Sequence, residues 1–153
     1  MDTTVKTVVT FKSSAFNISE PKEHFINPCC FGDDVARWLA EQLRDKEYQA
    51  ANVPGQEDFG WYFSFLVDGI EYCFVIGHRP SDANGEGVWI GWLERSRRFV
   101  ASVLGGRNRG IQPAAARAIH EILASSAQIR DVRWHLRRDF DGGHEQIGTP
   151  DPS

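Results

Sequence analysis

Hydrophobic positions alternate most sharply between Phe59 and His78. In DFGWYFSFLVDGIEYCFVIGHRP the apolar residues Trp61, Phe63 and Phe65 fall two apart up to Asp68-Gly69, and Tyr72, Phe74 and Ile76 do so beyond it. A period of two is the mark of a strand with one face on a core. Asp-Gly between two such runs predicts a two-residue hairpin, because a type I′ turn needs positive φ at both central positions. The turn then sets the register: Val67 faces Ile70, Phe65 faces Tyr72, Phe63 faces Phe74 and Trp61 faces Ile76. The reverse face pairs Leu66 with Glu71, Ser64 with Cys73, Tyr62 with Val75 and Gly60 with Gly77, so it is half polar and expected to be thinly covered. In the same register Asp58 lies opposite Arg79 at the open end, an expected cross-strand ion pair, while Glu57 gains no partner.

Weaker patterns flank this hairpin. Thr3 to Phe11 alternates around Val5, Val8 and Val9 and reads as a first strand, placed at an edge. SSAFNISEPKEHFINPCCFG then makes a long loop over 12–32, pinned by Phe16, Phe25, Ile26 and Phe31, and a loop of this length is a candidate binding loop. From Asp33 to about residue 47, Val35, Trp38, Leu39 and Leu43 form one helical stripe, with Asp33 and Asp34 in the first turn where the helix dipole favours acids. PSDANGEG is a turn-rich connection to VWIGWLER, an interior strand apolar on both sides, whose Gly91 implies a bulge or a close approach. Ser96 to Leu104 suits a short helix before the loop GGRNRG, and Pro113 opens another that runs to about Ser126 with Ile119, Ile122 and Leu123 inward. Val132, Trp134 and Leu136 alternate with Arg133, His135 and Arg137 as a last strand, and DFDGGHEQIGTPDPS has the composition of a loose, dispensable tail.

The expected architecture is therefore α+β. An antiparallel meander of about five strands carries two main helices on one face, in a single domain over 1–138 with a tail over 139–153. The 153 residues suffice for one domain with a real core, and 25% charged residues is ordinary for a globular chain. No apolar run approaches the roughly 18 to 20 residues of a membrane span, and the alternating N-terminus is not a signal sequence, so the default location is the cytoplasm. Cys29, Cys30 and Cys73 are odd in number and two are adjacent, which reads as reduced thiols.

Charge adds a division. Residues 1–94 hold 7 Lys and Arg against 15 acids, whereas residues 95–153 hold 10 Arg against 6 acids and no lysine. Arg95, Arg97, Arg98, Arg107 and Arg109 gather around the glycine loop and are the candidate contact for an anion or an acidic partner. GGRNRG lacks the lysine and hydroxyl residue of a phosphate-binding loop, and a pI near 5.7 argues against nucleic acid. Among the histidines, His78 stands beside Arg79 and near Asp58, whereas His120 rides on a helix and His135 alternates out of the last strand. Glu57, Asp58, His78 and Arg79 are thus the candidate catalytic set of a small hydrolase-like enzyme. No cysteine or histidine has a metal-ligand spacing, and no cofactor motif is present.

PGQEDFGWYFSF, YCFVIGHRP, WIGWLERS, GGRNRG and VRWH together resemble a small family of bacterial proteins over roughly Phe11 to His135. The resemblance implies a bacterial cytoplasmic setting and carries no activity, cofactor or site residue. With no nucleophile, metal or nucleotide motif, the favoured expectation is a non-catalytic protein-binding module of the immunity or adaptor type. A hydrolase at the hairpin mouth and an anion or nucleic-acid binder using residues 95–109 are the alternatives.

Overall fold

The computed structural model describes residues 5–16, 31–57, 60–80, 87–95 and 110–153. Among the described residues six antiparallel strands form one sheet: β1 (Val8–Lys12), β2 (Gly55–Glu57), β3 (Gly60–Val67), β4 (Ile70–Arg79), β5 (Val88–Arg95) and β6 (Arg130–His135). The helices among the described residues are α1 (Asp33–Asp45), α2 (Pro113–Ser125) and the short α3 (Arg137–Asp141). The α+β class is as expected, with six strands in place of five. Their order is β2-β3-β4-β5-β1-β6, so only β2 to β5 form a meander.

The central hairpin has the register set by its turn, from Val67 opposite Ile70 to Trp61 opposite Ile76. Asp68 and Gly69 take φ of 52° and 78°, as a type I′ turn requires. β5 pairs with β4 without interruption, so Gly91 marks no bulge; a Cβ there would run into the Phe74 ring. The additional strand β2 folds back on β3 and places Glu57 opposite Gly60.

β1 is an interior strand, not the expected edge. It pairs with β5 on one side and with β6 on the other. Burial of Val8, Val9, Thr10 and Phe11 in succession explains why its pattern alternates poorly: both of its faces are covered. β6 takes the edge position, and its register with β1 shifts by one residue near Asp131, whose φ is 56°. Such a bulge discourages edge-to-edge pairing.

The main core lies between one sheet face and the two long helices. Trp61, Phe63, Phe65, Tyr72, Phe74, Ile76, Trp89 and Trp134 meet Val35, Leu39 and Leu43 of α1 and Ile119, Ile122 and Leu123 of α2. α1 ends at Asp45, two residues before its expected limit, in a Schellman turn. Tyr48 N–H donates to Leu43 O and Glu47 N–H to Arg44 O, both at 2.9 Å, with Glu47 at φ 73°. At the start of α2 the Gln112 N–H donates to the Tyr72 hydroxyl at 3.4 Å, and Pro113 occupies the first turn as expected.

The opposite sheet face is better covered than its polarity suggests. Val75, Cys73, Val8 and His135 are all nearly inaccessible, although they belong to a face apart from the main core. Over β5 and β6 part of the cover is the C-terminal segment, with Arg137 on Trp92 and with Phe140 and Gly148 on His135, which corrects the expectation of a loose tail over 139–153. After α3 the chain makes a 3-10 turn over Glu145–Ile147, and Thr149 then returns to the free edge of β6. Thr149 N–H donates to Trp134 O at 2.9 Å, and Trp134 N–H donates to Thr149 O at 2.6 Å. Its glycines and prolines shape a strap rather than a free end.

Candidate functional site

β4 carries His78 and Arg79 side by side in sequence, and alternation sends them to opposite faces of the sheet. His78 shares the row of Trp89 and Phe11 on the helix side. Its ring lies 4.7 Å from the Trp89 ring, and burial there holds its pKa below the ordinary histidine value. Arg79 points to the strap side and donates to Glu145 through both terminal nitrogens, at 2.6 and 2.9 Å. This forked pair lowers the Glu145 pKa, chiefly through the hydrogen bond itself. The candidate catalytic set is thus divided by the sheet. Glu57 ends β2, and Asp58 lies outside the described residues, as does the expected Asp58–Arg79 pair.

The arginine group can be followed only at Arg95, since Arg97, Arg98, Arg107 and Arg109 lie outside the described residues together with the 96–104 helix. Arg95 is turned inward. Its guanidinium sits 6.0 Å from the centre of the Tyr72 ring and donates to Gly110 O at 3.4 Å. One member of the expected anion site therefore ties the end of β5 to the approach to α2. Cys73 is buried opposite Ser64, whereas Cys29, Cys30 and most of the 12–32 loop are outside the described residues. Among the described residues no group of three His, Cys, Asp or Glu is arranged to hold a metal ion, and no helix is long and apolar enough to cross a membrane.

The strap gathers the most connected polar groups that are described. On its α2 side Arg117 forks onto Asp151 through two 3.0 Å bonds, and Arg117 also donates to the Ser153 hydroxyl at 2.8 Å. The Arg117 hydrogen bonds, and after them those from Ser153, hold the Asp151 carboxyl far below the usual range. One turn further along α2, His120 Nδ1 accepts from Trp134 Nε1–H at 3.1 Å, and Nε2 faces Asp151 at 3.7 Å. An indole can only donate, so Nδ1 is the unprotonated nitrogen and the ring proton sits on Nε2. Burial keeps the His120 pKa low despite the opposing pull of Asp151.

On the outer side of the sheet, His135 lies beneath the strap. Its Nε2 is 2.9 Å from Thr10 Oγ1, the Phe140 ring is 5.4 Å away, and Nδ1 has no hydrogen-bond partner among the described residues. Gly148 rests directly on the imidazole, where a Cβ would collide with the ring. Lys6 donates to Thr149 Oγ1 at 2.8 Å, and Arg137 lies 5.7 Å from the Trp92 ring centre. Sequence reasoning missed this assembly because its signals are isolated: a threonine in β1, a histidine in β6 and acids in a stretch rich in glycine and proline. The one usable hint was the alternation that sets His135 and Trp134 on opposite faces. Beside the strap, Val5, Pro113, Ala114, Ala116, Arg117, Pro152 and Ser153 line an open pocket of about 380 Å³.

Comparison with family models, with curated protein sequences and with solved structures finds no match to this chain.

Proposed function

We propose that this protein is a non-catalytic protein-binding module of the immunity or adaptor kind, acting in the bacterial cytoplasm. The observation that carries the reading is the division of His78 from Arg79 by the sheet. A hydrolytic site at the hairpin mouth needs an acid–base group and an anion-stabilising group on one side of a pocket. Here the imidazole packs on Trp89 while the guanidinium holds Glu145. His120 and His135 are likewise engaged in holding elements together.

The proposed partner is another protein with an acidic surface, met by Arg97, Arg98, Arg107 and Arg109. Arg95 then serves as the inward anchor of that segment. The test is purification of the tagged protein from its host, followed by calorimetric titration of the recovered partner with variants. Arg107→Glu with Arg109→Glu is expected to weaken binding at least tenfold, and His78→Ala to leave it unchanged. A hydrolytic activity abolished by His78→Ala would overturn the reading in favour of an enzyme. Affinity for nucleic acid that falls steeply with salt would instead favour the anion-binding alternative.

A further inference from the structure

The strap is fastened at both ends by exposed forked ion pairs, Arg79 with Glu145 and Arg117 with Asp151. Between those fastenings it is seated on His135, which is 2% exposed. That imidazole satisfies one nitrogen on Thr10 and presents the other to the underside of Gly148, where it meets no acceptor among the described residues. A bare acceptor nitrogen in such a place is tolerable, whereas a buried N–H without a partner is costly. The closed strap therefore suits the tautomer protonated on Nε2 and opposes a second proton. We propose that the C-terminal strap is an acid-released cover whose trigger is His135, kept unprotonated in the closed state because its Nδ1 finds no acceptor beneath Gly148.

The charges around the ring are divided, and burial outweighs them. Glu145 and Asp139 of the strap favour the protonated form, Arg133 of β6 and Lys6 before β1 oppose it, and burial is the largest influence and also opposes it. Glu145 is moreover already committed to Arg79 in a forked pair. When the strap lifts, water reaches Nδ1 and the ring returns toward ordinary histidine behaviour near pH 6.5. The open state thus binds a proton more tightly than the closed one, and acid shifts the balance toward opening. Opening uncovers the rings of His135 and Trp92, on which Phe140, Gly148 and Arg137 of the strap rest. His120 is a poorer trigger: a second proton would cost the Trp134 bond but strengthen its attraction to Asp151. This device is independent of the partner proposed above.

The test is hydrogen exchange of the full-length protein between pH 7 and pH 5, corrected for the intrinsic effect of pH. The reporting amides are Thr149 and Trp134, which bond each other when the strap is closed. Their protection should fall at least fivefold, while protection of Leu39 in α1 and Val75 in β4 holds. His135→Gln should flatten the response, and His120→Gln should retain it. Unchanged protection in the wild type, or a response that survives His135→Gln, would overturn the proposal. So would a response lost in His120→Gln. Should His135→Gln fail to fold, the ring resonance of His135 in the wild type decides: titration below pH 6.5 in step with amide exposure is expected, and titration at or above 6.5 contradicts the trigger.

Discussion

Arg79 shows how a side chain's role depends on the face it lands on. Expected to serve the hairpin mouth beside His78, it reaches across the outer face to Glu145. Both members of this pair are partly open to solvent, at 49% and 36% side-chain exposure, so screening keeps their mutual contribution to about 0 to 1 kcal/mol. Arg79→Ala and Glu145→Gln should each cost that much at low salt and less at high salt. The double variant should cost no more than the larger single one, because either change removes the same interaction. Urea denaturation of the four proteins checks this, and additive losses would mean that each residue has an independent role. His78 and Arg79 were both legible as candidates, yet their separation needed only the alternation rule already applied to the aromatic residues around them.

At the scale of elements, what could be read depended on how local each determinant was. The β3–β4 hairpin was legible because Asp68-Gly69 determines both turn and register within two residues. α1 and α2 were legible from single apolar stripes. β2 was not, since Gly55, Gln56 and Glu57 carry no alternation and are strand only because β3 offers them an edge. The insertion of β1 between β5 and β6 is a long-range choice that no local pattern encodes. The strap is not legible because its glycines and prolines signal looseness, while Thr149, Asp151 and Glu145 act through partners distant in sequence. α1 ends on a local feature that invites a test. Glu47 adopts the left-handed conformation that glycine accepts without strain. Nothing in the Schellman turn needs a side chain there, so Glu47→Gly should stabilise the protein by about 0.5 to 1 kcal/mol. A loss of stability in thermal unfolding would show that the glutamate side chain has an unrecognised partner.

Taken as a whole molecule, the protein is a sheet covered on both faces, with α1 and α2 over one and the C-terminal strap over part of the other. Burial in these layers lowers the pKa of His78, His120 and His135. In each case the unfolded chain binds the proton more readily, so stability should be full above about pH 6.5 and decline as pH falls through the lower folded values. Glu145 and Asp151 are shifted down by their arginines, so the stability they confer is present above the ordinary carboxylate range and is lost at more acid pH. Melting temperatures from pH 8 to pH 5 should therefore decrease below neutrality, and a flat profile would contradict the buried neutral histidines. Whether residues 137–153 are an integral layer decides both this pH behaviour and the acid-released cover. The most direct measurement is calorimetry of the chain truncated after Leu136. Removal takes Phe140 and Gly148 off the buried His135 ring and takes the Thr149 pairing from the outer edge of β6 at Trp134. The account predicts a fall in melting temperature of at least about 5 °C at pH 7.5, corresponding to more than about 1 kcal/mol for a domain of this size. A truncated protein that melts within about 2 °C of the full chain would contradict it.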